Sequence, residues 1–190
     1  DEEADADAAT VAADVEQPVY AGNSRVLLLR QFFDVPAERE TLTYFFARGM
    51  ALVDGDRVQL VVTSNGKFPD SLYVPPGVRV IERDNVGIDF GGWTHTLSVL
   101  GDDYVDGFDY VFLFNGTVTG PMIPEWAPAS QVDWLAPFLS RLDDERRLVG
   151  ISTNMYEDRP HVQSMLLAMS VSTLRMVQQW GFFVTDAPDE

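Results

Sequence analysis

Cysteine is absent from this chain of 190 residues, and lysine occurs once, beside twelve arginines. Without cysteine there can be no disulfides, thiolate metal ligands or cysteine nucleophile. Long hydrophobic runs are also missing, because no apolar stretch approaches the roughly 18 residues that a membrane-spanning helix needs. The first residues are acidic, so the sequence shows no signal peptide. We therefore expect a soluble, cytoplasmic domain with no membrane span in this chain.

Positive charge is scarce, and the formal net charge is -17. Such a surface repels nucleic acid phosphates and anionic lipids, so we expect no nucleic acid partner. An anionic nucleotide can still bind at a local site made of backbone amides, an arginine or a metal ion. The content of 46% hydrophobic and 12% aromatic residues is typical of an ordinary globular protein.

The chain divides into two predicted parts. Residues 1–22 are rich in Asp and Glu and poor in large apolar side chains, which favours a disordered tail or a weak helix. That tail is either a linker or a solvated terminus. Residues 23–186 form the predicted domain, a length that suits one hydrophobic core.

Short apolar runs alternate with helical patterns along the predicted domain. The alternation predicts a mainly parallel central sheet covered on both faces, which is a Rossmann-like three-layer α/β/α fold. The predicted strands are residues 25–30, 57–63, 78–81, 109–114, 148–151 and 162–169. The predicted helices begin after Asp34 and Pro36, span 93–100 and 134–142, and end the domain after a Ser170 or Ser172 cap.

Ligands of open α/β sheets lie beyond the carboxyl ends of the strands, which here selects the loops 30–34, 63–67, 83–92 and 115–121. The loop after the third strand is the most informative. Its glycines let the backbone approach a ligand, and Asn85 can bind a base or fix the loop. Asp89 precedes the helix expected from Trp93, so it either caps that helix or binds a ribose hydroxyl. No Gly-x-Gly-x-x-Gly fingerprint and no Walker A loop is present.

Three segments in a fixed order carry a further signal. They are Arg83-x-Asn85-x-Gly87-x-Asp89-Phe90-Gly91-x-Trp93, then Asn115-x-Thr117-x-x-Gly120-Pro121 after a Tyr-containing strand, and finally His161-x-Gln163-Ser164. In combination they resemble the rhamnan-synthesis F family of GT-A-type glycosyltransferases, over about residues 25–180.

The resemblance implies polysaccharide biosynthesis, with transfer of a hexose or deoxyhexose from a UDP-, GDP- or dTDP-linked nucleotide sugar to a hydroxyl of a glycan acceptor. It places the donor's base and ribose near Asn65 and Asp89, and the diphosphate near 115–117. The predicted donor-binding residues are Arg30, Asn65, Arg83, Asn85, Gly87, Asp89, Asn115, Gly116 and Thr117.

A GT-A enzyme usually has an Asp-x-Asp metal motif where this chain has residues 114–117, which contain no carboxylate. That departure argues against a standard Mn²⁺ or Mg²⁺ site, because such cations prefer charged oxygen ligands. Two alternatives follow. The diphosphate holds a metal ion with help from Asp89 or His161, or Arg83 or Arg30 neutralises the diphosphate without metal.

An inverting transferase needs a carboxylate base beside the acceptor hydroxyl. Glu157 and Asp158, just before His161, are the candidates, and we choose Asp158 as the base. Trp126 is the predicted acceptor-binding residue, since it lies among prolines and small residues. Two other interpretations stay open: a non-catalytic module that binds nucleotide sugars or glycans, or one domain of a larger transferase.

Overall fold

A computed structural model describes residues 22–122, 126 and 132–183 of the chain. Six strands form the main sheet in the order β3-β2-β1-β4-β8-β5, and β6 and β7 form a separate two-stranded ribbon. The strands are β1 (Val26–Phe32), β2 (Val58–Asn65), β3 (Arg79–Arg83), β4 (Tyr110–Phe114), β5 (Leu148–Gly150), β6 (Thr153–Tyr156), β7 (Arg159–Val162) and β8 (Leu166–Ser170). The α-helices are α1 (Pro36–Tyr44), α2 (Ile88–Leu100), α3 (Asp102–Val105), α4 (Ala136–Leu139) and α5 (Val171–Gln179).

The central strands are buried on both faces, because alternate side chains enter two separate hydrophobic clusters. Val26 and Leu28 pack into the cluster beneath α1 and α4, while Leu27 and Leu29 pack into the cluster beneath α2 and α5. All four side chains are fully buried. Each face of the sheet is thus covered by helices, as the predicted three layers require.

Strands β1 to β4 run parallel, and β8 runs antiparallel between β4 and β5. The predicted Rossmann-like α/β/α fold with a mainly parallel sheet is therefore confirmed. The register brings Asn65 opposite Arg83 and Gln31 opposite Thr63. Since parallel strands end at the same edge, the loops that follow β1 to β4 meet there.

Three predicted elements differ from the structure. Residues 162–169 do not form one strand, because the chain first completes the ribbon and then enters β8. The helix predicted over 134–142 is limited to α4, and α2 begins at Ile88 rather than Trp93. The cap predicted for the last helix is confirmed, since the Ser170 hydroxyl accepts a hydrogen bond from the Thr173 amide at 3.1 Å.

Within the described residues, no helix is long and apolar enough to cross a membrane. Most of the predicted tail, residues 1–21, lies outside those residues, as do 123–125, 127–131 and 184–190. The division at residues 22 and 186 therefore stays a prediction.

Candidate functional site

Asp89 is the buried carboxylate at the meeting point of the loops. It lies in the first turn of α2 and is only 7% exposed. Its Oδ2 accepts hydrogen bonds from the Asn115 amide at 2.5 Å and from the Ser164 hydroxyl at 3.4 Å. Burial raises the pKa of Asp89, and the two hydrogen bonds oppose that rise. Asp89 therefore joins the loop after β4 to the segment between β7 and β8. It lies inside α2 rather than before the helix, as was predicted.

A chain of side-chain hydrogen bonds connects the ends of β1, β2 and β3. Arg83 donates to the Asn65 carbonyl oxygen at 2.5 Å, and the Asn65 amide donates to Gln31 at 2.7 Å. Gln31 in turn donates to the backbone oxygen of Asp89 at 3.4 Å. The side-chain amides of Asn65 and Gln31 each accept one hydrogen bond and donate another. Each bond therefore fixes the orientation of the next side chain in the series. Asn65, Arg83 and Asp89 are thus brought together as the sequence predicts.

Gln31 is not among the predicted site residues, although it lies in the predicted loop 30–34, because a single polar side chain in that segment carries no signal of its contacts; in the structure it is the penultimate residue of β1. It is fully buried, and helix α2 passes directly over it at Gly92. A Cβ atom on Gly92 would lie 2.2 Å from the Gln31 side-chain oxygen, which is closer than real contacts allow. A side chain at position 92 would therefore displace the Gln31 amide from its place between β1 and α2.

The entry to α2 places its first residues in an unusual backbone conformation. Gly87 has a φ of 72° and Ile88 a φ of 48°, both in the left-handed region that favours glycine. Asn85 is exposed beside this turn. The turn directs Asp89 inward and leaves Ile88 66% exposed.

Arg30 lies in the core beneath the loop after β4 rather than at the surface. It is 1% exposed, stacks over Phe45 at 5.0 Å, and donates to the backbone oxygens of Val118 at 2.8 Å and Gly116 at 3.3 Å. Burial lowers the pKa of Arg30 to about 10, against the attraction of Glu38. In this arrangement Arg30 supports the loop and is covered from solvent.

The turn at residues 115–117 is closed by its own side chains. The Asn115 oxygen accepts from the Thr117 backbone amide at 2.8 Å and from the Thr117 hydroxyl at 2.9 Å. Gly116 is buried and Thr117 is exposed. The turn therefore holds Asn115 in position to donate to Asp89.

Glu38 is a second buried carboxylate, and it is not among the residues predicted for the site. It lies in the first turn of α1, is 7% exposed, and accepts the Phe33 amide at 2.7 Å. Burial raises the pKa of Glu38, the Phe33 amide and Arg30 lower it, and repulsion from Asp89 raises it further. An acidic residue in a first helical turn is common, so the sequence carried no signal of its burial.

The predicted catalytic residues lie on the β6–β7 ribbon. Glu157 and Asp158 form its turn, with φ values of 47° and 64°, and His161 faces Asn154 across the ribbon. All residues from 153 to 162 are exposed. Ser164 contacts Asp89. An extended chain from Asp158 to Ser164 spans at most about 20 Å, at about 3.3 Å per residue. Trp126, the predicted acceptor-binding residue, is 83% exposed.

GT-A enzymes usually bind a metal ion, but this site offers few side chains that could coordinate one. Within the described part of the chain, no group of three or more His, Asp or Glu side chains is arranged to hold one. Of the two residues predicted as alternative metal ligands, Asp89 is buried whereas His161 is exposed on the ribbon. Two buried carboxylates lie beside the 115–117 turn: that of Asp89 contacts Asn115, and that of Glu38 lies where a Cβ atom on Gly116 would be.

Comparison with known proteins agrees with the predicted resemblance. The family model described as Rhamnan synthesis protein F matches residues 76–131, which include the 83–93 loop and the 115–117 turn. The predicted resemblance to the rhamnan-synthesis F kind of glycosyltransferase is thus confirmed over those residues, and the His161-x-Gln163-Ser164 segment lies outside the match.

A search of solved structures found the mannosyltransferase PcManGT from Pyrobaculum calidifontis in complex with GDP-Man and Mn²⁺. The identity is 14% and the TM-score 0.49, over 86% of this chain and 48% of that one. This chain thus spans about half the length of that structure. No curated protein sequence matches the chain.

Proposed function

We propose that this chain binds a nucleotide sugar across the carboxyl ends of β1 to β4 and transfers the sugar to a hydroxyl of a glycan acceptor. The observation that carries the proposal is the contact between Asp89 and Asn115 at 2.5 Å. It joins the first turn of α2 to the turn after β4, and both lie in the segment matched by the rhamnan-synthesis family model.

The contacts of the site suggest a role for each part. Asn65 and Asp89 are the proposed contacts for the base and ribose, since both lie at the joined ends of β2 and α2. The 115–117 turn is the proposed contact for the diphosphate. Catalysis would come mainly from holding donor and acceptor in place and from stabilising the charge of the leaving diphosphate. The donor is UDP-, GDP- or dTDP-linked.

Thermal denaturation with UDP, GDP, dTDP and CMP sugars, each with and without Mn²⁺, tests donor binding. A ligand that binds only the folded protein stabilises it by about 2.7 kcal/mol at a concentration of 100 Kd. We expect a rise in Tm with one nucleotide class. If none of the donors raises Tm, the proposal is wrong.

A second function, binding without catalysis, is favoured by the exposed position of the predicted base. Glu157 and Asp158 lie at the tip of the ribbon, whereas a base must come within hydrogen-bond reach of the acceptor. Transfer assays on a donor that raises Tm distinguish the two functions. Donor binding without transfer to any glycan acceptor would favour the binding module.

A further inference from the structure

Arg30 holds the turn after β4 from the inside of the protein. Its Nη2 atom donates to the backbone oxygens of Gly116 at 3.3 Å and Val118 at 2.8 Å, and to the Thr41 hydroxyl at 3.4 Å. The Thr41 hydroxyl also lies 3.4 Å from the Gly116 oxygen. Two alternate carbonyl groups of the turn therefore point into the core, toward one guanidinium group.

These two carbonyl groups set the direction of the amides that follow them. The peptide bonds between residues 116 and 119 are trans. In a trans peptide bond the C=O group and the next N–H group point in opposite directions. The amides of Thr117 and Thr119 therefore face away from Arg30. Burial follows the same alternation, since residues 116 and 118 are buried while 117 and 119 are exposed.

The two outward amides differ in their hydrogen bonds. The Thr117 amide donates to the Asn115 side-chain oxygen at 2.8 Å, whereas no described residue accepts a hydrogen bond from the Thr119 amide. Outward backbone N–H groups of a turn are a common means of binding phosphate oxygens. In a chain with a formal net charge of -17, an amide above a buried cation is a suitable donor to an anion. The Thr119 amide therefore has the chemistry that a phosphate needs.

The stability of the core alone does not explain a buried arginine at this position. Arg30 is 1% exposed, and no described atom accepts a hydrogen bond from its Nε and Nη1 atoms. None of the ion pairs among the described residues includes Arg30, and its guanidinium lies 5.0 Å from the centre of the Phe45 ring. Unpaired buried donors cost free energy. The guanidinium therefore indicates a role beyond packing, and that role lies in the turn it holds.

We propose that Arg30 is a positioning residue for the donor diphosphate. By holding two carbonyl groups inward, it keeps the Thr119 amide directed at the phosphate oxygens without contacting the donor itself. This differs from the direct neutralisation by Arg30 that the sequence predicts, because the turn covers the guanidinium. The inference rests on the proposed function.

Nuclear magnetic resonance of the ¹⁵N-labelled wild-type chain tests where the phosphates bind. The probes are UDP, GDP and dTDP, each beside its own nucleoside without phosphates. We expect the Thr119 amide signal to shift with the diphosphate and not with the nucleoside, whereas the signals of Asn65 and Asp89 should shift with both. If Asn65 and Asp89 respond to a diphosphate while Thr119 does not, the inference is overturned.

Arg30→Met tests the contribution of the guanidinium. Methionine is flexible enough to pack on Phe45, but it cannot donate to the two carbonyl groups. Affinity for the diphosphate should fall roughly tenfold, which corresponds to one hydrogen bond to a charged group, while affinity for the nucleoside stays the same. A merely structural role would weaken both affinities alike. Equal losses, or an unchanged diphosphate affinity in the folded variant, would contradict the proposal.

Two further variants complete this test. Arg30→Lys should recover part of the diphosphate affinity, because an ammonium group also donates to carbonyl oxygens, and it replaces Arg30→Met in the comparison if the methionine variant does not fold. Arg79→Met, an exposed change at the start of β3, is the matched control and should leave both affinities unchanged.

The two proposals fail in different ways. If a nucleoside diphosphate shifts the signals of Asn65 and Asp89 but binds equally well without Arg30, only the inference about Arg30 is wrong. If the wild-type protein binds no nucleoside diphosphate and no nucleotide sugar, the proposed function itself is wrong.

Discussion

The loops after β1 to β4 and the β6–β7 ribbon both carry residues predicted to act in sugar transfer, but they differ in how those residues are supported. Asp89 is 7% exposed and hydrogen-bonded to two other loops. On the ribbon, Tyr156 is 68% exposed and Asp158 lies in an exposed turn. Contacts of the first kind fix a side chain before a ligand arrives, whereas a two-stranded ribbon alone is marginally stable. The proposed donor side, formed by the loops after β1 to β4, is thus held by more contacts in the free chain than the ribbon that carries the predicted base.

The largest effect that separates the two regions is expected from Asp158→Asn. Asparagine tolerates the left-handed backbone of this turn and removes only the carboxylate. If Asp158 is the base, turnover should fall by roughly 10²- to 10⁴-fold, while the rise in Tm with donor stays unchanged. Transfer kinetics and thermal denaturation measure the two quantities. Unchanged turnover would remove Asp158 from the mechanism.

The next effect concerns the donor side. Asp89→Ala removes the carboxylate proposed to accept a hydrogen bond from the ribose. Because a hydrogen bond to a charged group contributes about 1.5 to 3 kcal/mol, donor affinity should fall roughly 10- to 100-fold. Titration calorimetry with the donor found in the thermal screen measures the change. Asp70→Ala, at a side chain that is 91% exposed, is the control and should bind donor normally. Equal affinity in both variants would contradict the proposed site.

The sequence predicts the position of the site in the fold, but only part of the packing of α2 over it. The apolar strands and the glycines of the 83–93 loop indicated the fold and the position of the loops, because those signals are local. Burial of Gln31 and Glu38 depends on α2 and on the 115–117 turn closing over them, which are contacts between distant parts of the chain. The burial of these two side chains therefore cannot be predicted from local sequence patterns.

The ribbon was missed for a different reason. Its strands are exposed on both sides, so they lack the alternation of apolar and polar residues by which strands are predicted. Its turn has Glu157 and Asp158 where Asn-Gly is the usual signal. The segment between the strands predicted at 148–151 and 162–169 therefore carries no strand signal of its own.

A smaller effect, on stability, tests the close packing of the donor side. A Cβ atom on Gly91 would lie 2.1 Å from the Val86 backbone oxygen. Since backbone cannot move aside freely, Gly91→Ala should lower the free energy of unfolding by about 1 to 3 kcal/mol. Gly55→Ala is the matched control, because nothing lies within 4 Å of a Cβ there. Urea denaturation of both variants measures the difference, and equal stabilities would contradict the packing described for α2.

The smallest effect is expected from Glu157→Asn, which tests whether the ribbon can be ordered without touching the donor side. Glutamate has a φ of 47° here, and asparagine adopts this left-handed conformation more readily, by up to about 1 kcal/mol. Amide hydrogen exchange should slow within residues 153–162 and stay the same around Asp89. With Asp158 as the base, turnover should change less than about twofold. A large loss of turnover would instead assign the base to Glu157, and slower exchange at both regions would show that the ribbon and the donor loops are coupled.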